Sequence, residues 1–331
     1  MVLIGILVGL FFLFALVGGV YMYFYAVVRD HSGKRQENLW EKEIAPHPGY
    51  SEENRKKIIE GAEYIKSHIT EVVRIKSHDG LTLVGHVVEP ENTAPRGVFI
   101  MVHGYRSHAV HDFSCAVKAV NDLGYACLLI DQRAHGFSEG EKIGFGALEK
   151  YDISRWAAFA DEHFGLPIVL DGVSMGSSTV MMGAEVGYPL SVRAIIADCG
   201  YSNAGEICRK TMKQWFKLPP FPVYYAAKLM TKIFAKYDLD KTDANAGLNE
   251  IKKRKISILF AHGDADDFVP YAMSRQNYAI FDGAKAENGE DLAEFFTASG
   301  AKHGISFLKD YDGYMKAIYR LLDKAGLDYV R

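Results

Sequence analysis

The sequence predicts an α/β protein with one mostly parallel sheet, helices on both faces, and a single apolar helix in front. Three observations carry that reading. Short apolar, β-branched runs alternate with helix-compatible stretches over most of the chain, without a long break. The runs give way to loops of glycine with histidine, serine or aspartate, as strands do where they meet a ligand-binding sheet edge. Val2 through Val28 contains no charged residue. With 331 residues the chain could hold two domains, but α/β domains of about 250 residues are common.

The elements follow in order. Residues 1–29 make a helix of about 40 Å, enough to cross a hydrocarbon core of about 30 Å with tilt. Tyr21, Tyr23 and Tyr25 near its end suit a membrane interface, so the segment reads as a transmembrane anchor. A cleaved signal peptide is the alternative, but the first charge is Arg29 and no small-x-small site stands out. Arg29, Lys34 and Arg35 follow the segment, which favours a cytoplasmic main domain, and the unpaired pattern of Cys115, Cys127, Cys199 and Cys208 agrees with a reducing compartment. Residues 30–50 are polar with two prolines and read as a tether. The main domain, 51–331, opens on a helix whose stripe of Ile58, Ala62, Ile65 and Ile69 packs on the body. A hairpin around His78-Asp79-Gly80 comes next.

The chemistry sits at later strand ends. Gly97 to Val102 runs into His103-Gly104-Tyr105-Arg106-Ser107. Leu166 to Asp171 runs into Gly172-Val173-Ser174-Met175-Gly176, followed by a helical stretch. That is the G-x-S-x-G pattern, which holds a serine hydroxyl clear of the sheet on a strained turn and aims a helix N-terminus at any oxyanion forming there. Ile256 to Ala261 leads to three aspartates, Asp264, Asp266 and Asp267, any of which could be the acid. Ala293 to Ala298 leads to His303 between glycines. The chain order is serine, aspartate, histidine. The backbone N–H groups of Tyr105 and Met175 are placed to form an oxyanion hole. His103 and His262, each before a glycine at a strand end, read as structural, and His108 and His111 as capping groups rather than metal ligands.

Residues 201–250 form a longer non-strand insertion with Trp215, Phe216 and Phe221 among its aromatics, broken by Pro219, Pro220 and Pro222. Insertions of this length are usually functional, and these three aromatics are candidate substrate contacts. The net charge of −3 and the lack of a basic tract argue against nucleic acid as a partner.

His103-Gly104, the stretch Asp131 to Ser138, the Ser174 turn, Gly263 to Pro270 and His303 together resemble the α/β-hydrolase superfamily, in particular its serine aminopeptidase-like and monoglyceride-lipase-like branch with many bacterial esterases. The resemblance spans roughly residues 70 to 325. It implies that the acid three residues before the valine of Val269-Pro270 is Asp266, with Asp264 next in line, and that His303 is the base. It also implies a lid at the insertion. The expected activity is hydrolysis of carboxylic esters or thioesters, small or lipid-like, through an acyl-enzyme and without metal or organic cofactor. A peptidase of the same fold and a catalytically silent binding protein are the competing readings.

Overall fold

The computed structural model describes residues 1–30 and 51–330, so most of the tether expected at 30–50, with Lys34 and Arg35, lies outside the described residues. Its helices are α1 (Val2–Ala26), α2 (Glu52–His68), α3 (Ala109–Asp122), α4 (Glu149–Phe164), α5 (Met175–Gly183), α6 (Ala204–Trp215), α7 (Pro220–Met230), α8 (Asn245–Lys253), α9 (Tyr271–Ala279), α10 (Ser306–Lys309) and α11 (Tyr311–Ala325). The strands are β1 (Ile69–Lys76), β2 (Thr82–Val88), β3 (Val98–Val102), β4 (Ala126–Ile130), β5 (Ile168–Val173), β6 (Val192–Asp198), β7 (Ser257–Gly263) and β8 (Ala293–Ala298). They form one sheet in the order β1-β2-β4-β3-β5-β6-β7-β8. β2 is antiparallel to both neighbours, and every pair from β4 to β8 is parallel.

The apolar runs are continuous because both faces of the sheet are covered. Along β3, Val98, Ile100 and Val102 enter one core while Phe99 and Met101 enter the other, the alternation a pleated strand imposes. One core packs under α4 and its fully buried Trp156; the other packs under α3 and α11. The expected stripe on α2 is seated on α3, with Ile58, Ala62 and Ile65 buried, while Ile69 has already become the first residue of β1.

Topology sets where the site falls. From β3 the chain moves outward to β4, then crosses back to β5 on the other side of β3, so the strand order reverses between β3 and β5. Loops leaving a parallel sheet diverge at such a point and leave a crevice outside the carboxyl ends of the strands. The register keeps those ends level: Val102 pairs with Gly172, Val173 with Asp198, and Gly263 with Ala298.

The apolar helix α1 is long enough to cross a membrane, and most of its surface is exposed. It is not a free-standing element. Ala15, Gly19, Met22 and Tyr23 are buried, and Gly18 and Gly19 lie directly on Val223 and Ala226 of α7. Just past its end Val28 forms an antiparallel bridge with Lys142, and the Ile143 N–H donates to the Val27 carbonyl at 2.8 Å. The Arg29 guanidinium donates to the carbonyls of Gly136 (2.8 Å) and Ser138 (2.6 Å). The helix is therefore packed against and hydrogen-bonded to the body before residue 31 is reached.

Candidate active site

Ser174 lies between the end of β5 and the first residue of α5 with φ 56° and ψ −116°, a conformation that costs a non-glycine residue on the order of 1–3 kcal/mol. Its neighbours explain why the chain tolerates it. A Cβ on Gly176 would run into the Val102 carbonyl, and one on Gly172 into the backbone of Gly176. The two glycines let β5 turn into α5 while α5 lies against β3. The Ser174 N–H donates to the Asp198 carbonyl at 2.8 Å, which pins the turn to β6.

Two other strand ends deliver the partners. His303, on the loop after β8, places Nε2 2.8 Å from the Ser174 Oγ and Nδ1 2.7 Å from an Asp266 carboxylate oxygen. An ionised carboxylate only accepts, so Nδ1 carries the proton and Nε2 is free to accept from the serine hydroxyl. Asp266 is the acid that reaches the histidine. Its other oxygen accepts from the N–H groups of Phe268 (2.8 Å) and Val269 (2.9 Å), so it sits in a turn that the sequence Phe268-Val269-Pro270 closes around it. Asp264 instead accepts from the Gly300 N–H at 2.6 Å and braces the loop ahead of His303; Asp267 is exposed. Burial alone would push the Asp266 carboxyl up, but hydrogen bonds from His262 and His303 overcome it and hold the group below the usual carboxylate range.

His262 belongs to this network without touching Ser174. Its Nε2 lies 3.0 Å from Asp266 and 3.1 Å from the Val269 carbonyl, and its Nδ1 meets the Ser274 hydroxyl at 2.6 Å. It is a fully buried positioning residue. His103 is structural too: its Nδ1 donates to the Gly104 carbonyl at 2.8 Å and its Nε2 accepts from the Gln132 N–H at 3.1 Å.

The loop after β3 carries the oxyanion candidates. Met175 is the first residue of α5, so its N–H has no intrahelical acceptor. Tyr105 follows Gly104, whose Cα stands so close to Ser174 that an added Cβ would be 3.3 Å from the serine Cβ. Sequence reasoning missed what holds this loop. Asp112, inside the first turn of α3, accepts from the Gly104 N–H (2.7 Å), the Ser107 hydroxyl (2.6 Å) and His111 Nδ1 (2.9 Å). Burial pushes its carboxyl up, and these donors, His111 foremost, bring it below the usual range. His135 takes the Arg106 N–H on Nε2 at 3.0 Å, and burial drives its pKa down to about 3, so the ring stays neutral and can accept. The capping role expected of His108 is present: it is the N-cap of α3, and its ring accepts from the His111 N–H. The signal for Asp112 was present, an acidic residue one helical turn into a helix, but that pattern also fits an ordinary dipole partner.

Ser174 opens into a cavity whose walls are almost wholly apolar, and among the described residues no aspartate, glutamate, lysine, arginine or histidine lines it. Met175, Tyr105 and Phe145 line it, together with Phe216 from just past α6 and Tyr224 from α7. Met22, Tyr23, Ala26 and Val27 of α1 complete the wall. Of the three aromatics expected to contact substrate, the structure puts only Phe216 on the cavity. Trp215 is 58% exposed and packs on Phe268; Phe221 is 65% exposed and packs on Phe11 of α1. The reason is geometric, since adjacent residues at a helix end point about 100° apart and Phe221 starts α7 at the end far from the serine. Among the described residues, two groups bring three possible ligand atoms within 4.8 Å, Cys199-Asp266-His303 and His78-Asp79-Asp152. The first is taken up by the histidine–carboxylate pair, and in the second Arg133 engages both carboxylates.

A serine on a strained strand-to-helix turn, a histidine that accepts from it, and a sheet of this order are the arrangement of a serine hydrolase, and the chain has the α/β-hydrolase fold. The model of the serine aminopeptidase S33 family matches residues 93–255. The chain is 26% identical over 252 residues to the uncharacterized protein YqkD of Bacillus subtilis, covering 75% of this chain and 78% of that one. It is 29% identical over 227 residues to a monoacylglycerol lipase of Mycolicibacterium smegmatis, covering 59% and 79%. An esterase of Pyrococcus furiosus has the same fold, with a TM-score of 0.58 at 19% identity over 77% of this chain and 90% of that one.

Proposed function

We propose that this protein is a membrane-anchored serine hydrolase that cleaves carboxylic esters or thioesters of apolar acyl groups through Ser174, His303 and Asp266. The observation that carries the reading is the continuous hydrogen-bonded line from Asp266 through His303 to Ser174, opening onto a cavity without an ionised wall. His303 Nε2 takes the hydroxyl proton as Ser174 Oγ attacks the acyl carbonyl. The N–H groups of Tyr105 and Met175 receive the developing oxyanion. His303 then gives the proton to the departing alcohol or thiol, and water resolves the acyl-enzyme by the same route. Asp266, buried and holding four donors, keeps the Nδ1–H tautomer and stabilises the imidazolium.

The family match to serine aminopeptidases supplies the second reading, release of N-terminal residues. A free amine needs an acidic partner near the acyl site, and among the described residues the cavity walls offer none. Anchoring through α1 is supported by its length and composition. Its retention is supported by its role as a cavity wall, because cleavage after the helix would open the site to water. The positive charges that follow the helix in the sequence, Arg29, Lys34 and Arg35, support a main domain on the cytoplasmic side.

The test is a fluorophosphonate probe on wild type and Ser174→Ala, then p-nitrophenyl esters of graded chain length beside aminoacyl amides. Labelling of wild type alone and faster turnover of medium or long acyl esters are expected. An unlabelled, folded wild type overturns the catalytic reading, and faster amide turnover overturns the ester preference.

A further inference from the structure

The insertion between β6 and β7 has a feature that ester hydrolysis does not require. Leu218 to Ala227 carries no charge, contains Pro219, Pro220 and Pro222, and lies along the apolar helix α1. The two helices run in the same direction. Phe221 meets Phe11 with ring centroids 5.8 Å apart, and Phe234, in the π-helical turn Thr231–Ala235 that continues α7, meets Tyr23 at 6.0 Å. Phe11 and Tyr23 are separated by about 18 Å of helix, while one leaflet contributes about 15 Å of hydrocarbon. A helix held beside a membrane span for that distance enters the membrane with it.

The surface chemistry agrees. Phe221, Tyr225 and Leu229 recur every four residues, each more than half exposed, on the side of α7 away from its buried Val223, Tyr224 and Ala227. They continue the bare apolar surface of α1, where Leu10, Phe12 and Leu13 are equally exposed. At the other end of the contact the charges gather: Arg106 donates to the Val28 carbonyl, Lys142 donates to the Phe234 carbonyl, and Lys232 is exposed. Cations and tyrosines at that level mark a headgroup boundary. The non-helical entry into α7 is also suited to hydrocarbon, where an unpaired backbone N–H costs several kcal/mol, because three of its residues are prolines with no N–H to leave unpaired.

We propose that Leu218 to Ala227 dips into one leaflet as a re-entrant hairpin beside α1, and that the cavity over Ser174 receives single acyl chains laterally from that leaflet. The α1–α7 seam is closed at Gly19, where an added Cβ would strike Ala226. Over the last two turns of α1 the cavity itself borders the seam, lined there by Met22, Ala26, Tyr25 and Phe216. An acyl ester dissolved in the bilayer passes there to Ser174 without crossing water. The occupant of this apolar face is therefore lipid hydrocarbon, and the substrate class is a membrane-dissolved acyl ester with its carbonyl near the headgroup level.

This inference rests on α1 being a membrane span, and the experiment separates the two. Full-length Phe221→Trp is reconstituted in phosphatidylcholine vesicles brominated either near the headgroup or deep in the chain, and its fluorescence is compared with that of wild type. Resistance to an alkaline carbonate wash is expected, with the added tryptophan quenched by the deep bromines and little by aqueous acrylamide. Protein released by the wash overturns the anchor and the hairpin together. Protein retained, with the added tryptophan quenched by acrylamide and not by bromines, overturns the hairpin alone. In full-length Phe221→Asp, turnover of a long-chain ester in vesicles relative to a short-chain ester in water is expected to fall about tenfold or more. An unchanged ratio overturns lateral entry.

Discussion

Asp266→Asn is the sharpest perturbation of the proposed triad, because the change is two atoms wide and the structure says where each goes. One carboxylate oxygen accepts from Phe268 N–H and Val269 N–H, and the amide oxygen can keep both bonds. The amide nitrogen must then face His303 Nδ1 and His262 Nε2, both within 3.0 Å of that position. Two donors cannot face each other, so His303 adopts the tautomer with its proton on Nε2, which points at Ser174 and can no longer accept. The fold loses little, since volume and packing are kept. The expected loss in kcat is about 10⁴-fold, or about 5 kcal/mol of barrier, the scale that the wrong histidine tautomer produces in a serine triad. The assay is kcat and kcat/KM on a p-nitrophenyl ester, with near-ultraviolet circular dichroism to confirm folding. Asp264→Asn, whose carboxylate meets only the Gly300 N–H and Ser299, is expected to stay within about tenfold of wild type. A folded Asp266→Asn that keeps more than about a tenth of the activity, or an Asp264→Asn that loses more, would refute the assignment.

Three further outcomes are expected. Asp112→Ala frees the Gly104 N–H, the Ser107 hydroxyl and His111 at once; kcat should fall about tenfold to a hundredfold with KM little changed, and an equal rise in KM would place Asp112 in substrate binding instead. Gly176→Ala drives a methyl group into the Val102 carbonyl and should lower stability by about 3 kcal/mol in urea unfolding; a neutral result would mean that α5 can move off β3. Burial raises Asp198 from 3.8 to about 6, against hydrogen bonds from Ser306 and Tyr314. A group raised in the folded state contributes its full stability below 3.8 and loses it as pH rises towards about 6. Asp198→Asn carries no such charge, so its stability relative to wild type should improve between about pH 4 and pH 7, and a flat difference would refute the shift.

Much of the site was legible along the chain because its parts are local. Gly172 to Gly176 announces its turn, since only glycine fits where α5 crosses β3, and each strand end is marked by the apolar run before it. The order of Ser174, Asp266 and His303 follows from where those runs stand. What the residues alone left open was the choice among three aspartates within four positions. Each follows β7, and their roles differ only in which way a tight loop points them. Phe216, Trp215 and Phe221 were equally ambiguous, because a residue's neighbour across space is set by helix phase and not by its type.

The sequence by itself determined the fold class, the glycine-flanked turn at Ser174 and the apolar character of the first helix, all properties of short segments. Tertiary structure alone decided that Asp266 reaches His303, that Asp112 braces the loop after β3, and that the end of α1 walls the cavity over Ser174. Those contacts join residues far apart in the chain, 129 positions for His303 and Ser174 and 79 for Tyr105 and Ala26. No local propensity encodes such pairings, which arise only when the strand order brings the loops to one edge of the sheet.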